Sequence, residues 1–207
     1  DLGESYGKSC SRDDEIMPFI SSCNIACGFH SGDPSTIQRT LELALEHGVA
    51  IGAHPSFPDL QGFGRRVMHM HPDDINAMVR YQVSALKGMA EGMGAKLHHV
   101  KAHGALYNLA ARDLEVAQAI ASAVASLAPD AMLYVLSASV MERAAERAGL
   151  SFCSEVFADR VYEDDLQLRS RTFNDAVIHK EEQVLEQVSM LVMEQKVRTY
   201  SGELKPI

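Results

Sequence analysis

The sequence predicts an α/β fold built on a parallel sheet, and three observations carry that expectation. Short apolar runs alternate with longer stretches whose apolar residues recur at helical spacing, the pattern of strands joined by helical crossovers. Cap and turn residues punctuate each change of period. Several apolar runs end in an ionisable side chain. Right-handed crossovers repeated along one chain give either an open doubly wound sheet or a closed (β/α) barrel.

The elements follow in order. Asn24 to His30 reads as a strand running into the polar loop Ser31-Gly32-Asp33. Asp33 is placed as an N-cap with Pro34 at the first helical position, Ile37, Leu41, Ala44 and Leu45 form the apolar stripe, and Gly48 stops the helix. Val49 to His54 has the composition of a short buried strand. His71-Pro72-Asp73 opens a second helix with the stripe Ile75, Met78, Val79, Val83, Leu86 and Ala90, ended by Gly92 to Gly94. Leu97 to Val100 reads as a strand, Leu114 to Leu127 as a helix, Met132 to Leu136 as a strand, Val140 to Ala148 as a helix and Phe152 to Phe157 as a strand. The stretch from Asp159 to Phe173 is polar and irregular, a loop, and Val184, Val188, Leu191 and Val192 mark a last helix.

Composition excludes several classes. The 207 residues suit one domain, 1–207, with a core large enough to need no disulfide or metal staple. Apolar residues make up 46% and charged residues 23%, and the formal net charge of -9 argues against nucleic acid or an anionic membrane as partner. No apolar run is long enough to span a bilayer, and no secretory signal is visible. Cys10, Cys23, Cys27 and Cys153 form no C-x-x-C pair, so reduced thiols in a cytoplasmic protein are expected, and Cys23, Cys27 and His30 do not have standard zinc spacing. Neither the G-x-G-x-x-G turn of a dinucleotide fold nor a P-loop for ATP is present.

The chemistry gathers at strand ends. His30, His54 and His103 leave three different runs, and in a (β/α) barrel those ends converge on one face. Neutral imidazoles from three strands suit a zinc-like metal, with Asp33, Glu155 or Asp159 completing the shell or orienting a ring. His99, Lys101 and His103 share one face of their strand at period two. A lysine facing the interior needs a partner, either an anionic substrate group or a salt bridge to Glu155. Arg65 and Arg66 follow the glycine pair of Gly62-Phe63-Gly64 and could fork onto a carboxylate, with Arg66 the more structural of the two. His47, His69, His71, His98 and His179 sit in polar stretches and are expected at the surface.

At these segments the sequence resembles the LamB/YcsF family. The matching stretches are DLGESYG from Asp1 to Gly7, NIACGFHSGD from Asn24 to Asp33, GAHP from Gly52 to Pro55 and DLQGFGRR from Asp59 to Arg66. YQVSAL from Tyr81 to Leu86, VKAHGALYN from Val100 to Asn108 and EVFADRVY from Glu155 to Tyr162 follow. Members usually carry proline where Ala102 stands, have a strand ahead of DLGE, and continue past the position of Ile207 with a cysteine-valine-histidine-glycine-aspartate segment. The domain is therefore expected to lack a first strand and a C-terminal segment.

The resemblance implies a seven-stranded (β/α) TIM-like barrel similar to polysaccharide deacetylases. It implies ATP-dependent opening of the cyclic amide 5-oxo-L-proline to L-glutamate together with partner subunits B and C. In that setting His30, His54 and His103 would hold a divalent metal or act as general acid and base, and Glu4, Asp33 or Asp159 would support them or accept a proton. Lys101 and Arg65 would take the substrate carboxylate or a developing phosphate charge, and Asn24 and Glu155 would bind substrate. The competing expectations are a stand-alone metal-dependent amidase or deacetylase acting on an N-acetylated sugar, and a non-catalytic binder built on the same scaffold.

Overall fold

The structure is a computed structural model and describes residues 1–5 and 12–207. Tyr6, Gly7 and Cys10 of the stretches discussed above lie outside the described residues.

Five strands form one parallel sheet: β1 (Ser22–Ala26), β2 (Ala50–His54), β3 (His99–Val100), β4 (Met132–Leu136) and β5 (Phe152–Glu155). They lie side by side in chain order, β1-β2-β3-β4-β5. A doubly wound sheet reverses its order at a switch point, whereas a (β/α) barrel does not. This sheet therefore has the winding of the barrel class. Leu2 bridges Ile25 in parallel, so the N-terminal segment lies alongside β1, on the side away from β2. The sheet thus has five strands among the described residues where the resemblance implies seven.

The crossovers are helical for the reasons the sequence gives. In α2 (Pro34–Glu46) the Asp33 carboxylate accepts from the Thr36 amide, and Ile37, Leu41 and Ala44 are buried. The long α3 (Pro72–Gly92) buries the stripe from Ile75 to Ala90. Next come α4 (Gly104–Ala110), α5 (Leu114–Leu127), capped by Asp113, and α6 (Val140–Arg147), capped by Ser139. Helix α3 packs on α5 and α5 on α6, which together with α2 cover one face of the sheet with a continuous apolar core.

Before β1 a short α1 (Asp13–Ile16) runs into a 3-10 turn over Met17–Phe19. Beyond β5 the chain folds back through residues 156–180. Tyr162 is fully buried there, and Gln187 donates to the carbonyls of Phe157, Ala158 and Arg160. Gln187 belongs to α7 (Glu181–Ser189), which ends in a π turn and leads to the hairpin of β6 (Lys196–Arg198) and β7 (Leu204–Pro206). No helix among the described residues is long and apolar enough to cross a membrane.

Candidate active site and cation cluster

Parallel strands deliver their ends to one edge of the sheet, and four of the expected groups meet there. One ligand atom from each of Glu4, His30, His54 and His103 falls within 4.8 Å of the others. His54 ends β2, His103 precedes α4, and His30 lies in the turn between β1 and α2. The His30 and His103 rings stack at 3.7 Å, and His54 meets both edge-on. All three histidines are buried.

Hydrogen bonds assign each ring its tautomer. His54 Nδ1 lies 2.7 Å from the Lys101 carbonyl, and His103 Nε2 lies 2.9 Å from the Phe63 carbonyl. A carbonyl only accepts, so both nitrogens carry hydrogen. Ser56 donates its hydroxyl to the Phe57 carbonyl and is left to accept from His30 Nδ1, 2.9 Å away. Gln82, fully buried in α3, holds the Ser56 backbone from both sides, accepting from its amide and donating to its carbonyl.

The remaining ring nitrogens converge with bare lone pairs. His103 Nδ1 faces His54 Nε2 at 3.0 Å, and His30 Nε2 faces Glu4 Oε1 at 3.1 Å. His103 Nδ1 stands 3.6 Å from the same Glu4 oxygen, and Asp1 Oδ2 stands 3.3 Å from His54 Nε2. Acceptors facing acceptors repel unless positive charge lies between them. Protonating the rings is a poor remedy: burial holds His54 down to about 3 and His103 to about 2, and it lowers His30 as well. Burial pushes the Glu4 carboxyl up, but the nearness of His30 and His54 outweighs that and leaves it below the ordinary value. Three imidazole nitrogens and a carboxylate oxygen form the donor set of a divalent metal such as zinc, and the cluster fits one.

The loop of Gly62 to Gly64 closes against this cluster. A side chain on Gly64 would put its Cβ 2.8 Å from His103 Cδ2 and 2.9 Å from His30 Cβ, so only glycine lets the loop bring the Phe63 carbonyl to His103. Arg66 grips Asp59, its Nε 3.0 Å from both carboxylate oxygens, and holds that carboxyl down at about 2. It is the structural arginine of the pair, and Arg65 lies over the Phe63 ring.

Lys101 is buried beside the cluster, 3.0 Å from Glu155 Oε2 and 3.8 Å from Asp1 Oδ1, with the Phe157 and Tyr107 rings flanking its ammonium. The salt bridge weighed from the sequence is therefore formed. Asn24 is engaged by Asp1 and His99, Asp33 caps α2, and Asp159 is exposed on the segment after β5. Cys27 donates to the Ile25 carbonyl, burial raises the Cys23 and Cys27 thiols, and neither is among the residues whose ligand atoms gather with His30. His47, His69, His71, His98 and His179 are exposed. Sequence reasoning missed Asp1, Ser56, Gln82 and His99 as parts of the site.

A parallel α/β sheet in chain order, with histidines and carboxylates gathered at its strand ends, is consistent with the TIM-like barrel class, whose functional groups come from the ends of several strands. The sequence profile of the LamB/YcsF family matches residues 1–207, and the chain belongs to that family. It is 51% identical over 204 residues to the A subunit of 5-oxoprolinase from Bordetella pertussis, covering 98% of this chain and 81% of that protein. The protein of the same name from Bacillus cereus is 49% identical over 205 residues, with the same coverage. The crystal structure of the lactam utilization protein from Thermus thermophilus superposes with a TM-score of 0.92 at 45% identity, covering all of this chain and 84% of that one.

Proposed function

We propose that this chain is the A subunit of a cytoplasmic 5-oxoprolinase that opens 5-oxo-L-proline to L-glutamate with ATP and subunits B and C, and that its strands form part of a seven-stranded barrel. The observation that carries the reading is the cluster of Glu4, His30, His54 and His103 in a chain about half identical to proteins bearing that name.

The reaction breaks the ring C–N bond, places the oxygen of water on the carbonyl carbon and leaves a proton on nitrogen. Because a five-membered lactam is a stable amide, ATP would transfer its terminal phosphoryl group to the lactam oxygen and release ADP. Water then adds to the activated carbon, the C–N bond breaks with nitrogen taking a proton, and a second water splits the resulting acyl phosphate into glutamate and phosphate. The cluster residues would hold a divalent cation, which supplies Lewis-acid polarisation and a more acidic bound water. Around it, the chain's own groups bind and orient. Arg65 meets the substrate carboxylate or phosphate, and Lys101 contributes positive charge at the same edge, steadied by Glu155. Asp33 holds the start of α2, just after the turn that carries His30, and Asp159, exposed on the segment after β5, would exchange protons with solvent.

The test is glutamate release from 5-oxoproline by the full-length chain, with and without ATP and with and without folded subunits B and C. Release only with every component supports the reading. Release without ATP, or activity on an N-acetylated sugar alone, moves the chain to the stand-alone amidase class. His103→Ala in the complete system is expected to abolish turnover and leave the fold intact, as read by circular dichroism.

A further inference from the structure

Asp1 takes no part in the chemistry above, yet its two carboxylate oxygens are sorted. Oδ1 accepts from Asn24 Nδ2 at 2.9 Å and lies 3.8 Å from Lys101 Nζ. Oδ2 has neither donor and faces the bare lone pair of His54 Nε2 at 3.3 Å. One oxygen is therefore tied on the outside while the other is aimed into the cluster, the arrangement of a carboxylate ligand held by an outer hydrogen bond.

The outer hydrogen bond is itself held. Because Asn24 Nδ2 donates to a carboxylate, Asn24 Oδ1 is fixed as the accepting arm of the amide. Its partner is His99 Nε2, 2.8 Å away, which must then carry the hydrogen. His99 is fully buried and stacks on Tyr134 at 4.0 Å. Asn24 and His99 lie on β1 and β3, with β2 between them, and both are in register with Gly52. A Cβ on Gly52 would stand 2.1 Å from His99 Nε2, so the missing side chain is the passage through which His99 reaches Asn24.

We propose that Asp1 is a further ligand of the cation held by Glu4, His30, His54 and His103, and that His99 and Asn24 are positioning residues that aim its free oxygen across the space left by Gly52. This rests on the reading of the cluster as a cation site. The ligand is a divalent metal of the zinc or cobalt type, taken by three imidazole nitrogens and two carboxylate oxygens.

The experiment titrates the metal-free full-length protein with Co2+, following the visible absorption that reports coordination number, and with Zn2+ in competition. Four proteins are compared: wild type, Asp1→Asn, His99→Phe, which keeps a ring on Tyr134, and His99→Gln, which restores an N–H donor. Asp1→Asn and His99→Phe are expected to weaken binding roughly 10- to 100-fold and to change the cobalt spectrum, with His99→Gln recovering most of the loss. Thermal melting of the metal-free forms identifies any variant that fails to fold, and Asn24→Ala then replaces it as the break in the relay. Wild-type affinity and spectrum in folded Asp1→Asn and His99→Phe would overturn the proposal while leaving the cation site standing. No binding by the wild type, with Glu4→Gln equally inert, would overturn the cation reading and this proposal together.

Discussion

His99 shows how one buried side chain couples packing to electrostatics. Its ring lies between the Tyr134 face and the empty position at Gly52, and burial, first of all, lowers its pKa to about 3 from an ordinary 6.5. A histidine depressed in the folded state binds its proton earlier in the unfolded chain. Its contribution to stability is whole above pH 6.5 and is lost as pH falls towards the folded value. The slope is roughly 1.4 kcal/mol per pH unit for one proton. Urea melts between pH 7 and pH 4.5 are therefore expected to show wild type losing more stability than His99→Phe, and parallel losses would refute the assignment. Gly52→Ala acts on the same ring from the other side. It forces His99 out of its place, with an expected cost of roughly 1 to 3 kcal/mol in chemical denaturation, and wild-type stability in that variant would mean the strand yields freely.

Elements with a strong period were legible in the sequence, and those whose order comes from tertiary contact were not. Helix α5 and strand β4 fall where the residues predict them, because Asp113 and Pro129 bracket one and turn residues bracket the other. Helix α4 was unread, since Gly104-Ala105-Leu106-Tyr107-Asn108 is too short to show a stripe and follows a run that already looks like a strand end. The hairpin of β6 and β7 pairs over three residues a side and carries no alternating apolar signal. In the site the three histidines and Lys101 were legible as strand-end groups. Asp1, Ser56 and Gln82 were not, because their places depend on which atoms other rings have already used. Asp33 is the residue whose two readings an element-scale variant separates. As the cap of α2 it should tolerate Asp33→Ser with activity retained, while Asp33→Ala costs about 1 kcal/mol. Loss of turnover in a stable Asp33→Ser protein would return Asp33 to the chemistry.

At the scale of the molecule, the cluster ties the N-terminal segment to the strand ends. Glu4 and Asp1 come from the segment that bridges β1 at Leu2, and their opposite partners come from β2, the β1–α2 turn and the segment before α4. Without a cation this junction sets lone pairs against lone pairs. With one, it becomes a bond between segments far apart in sequence, which exists only in the folded chain. A ligand bound by the folded state alone adds about 2.7 kcal/mol of stability at a concentration 100 times its Kd. For a chain of this size each kcal/mol moves Tm by roughly 2 to 4 °C. Stripping the protein with a chelator is therefore expected to lower Tm by about 5 to 10 °C, and added Zn2+ should restore it. Glu4→Gln, which keeps the side chain's shape and loses its charge, should melt near the stripped wild type and respond weakly to either treatment. Equal Tm with chelator and with Zn2+ in the wild type would mean that the gathered lone pairs are relieved by protons and not by a metal, and the histidines would then have to be read as acids and bases alone.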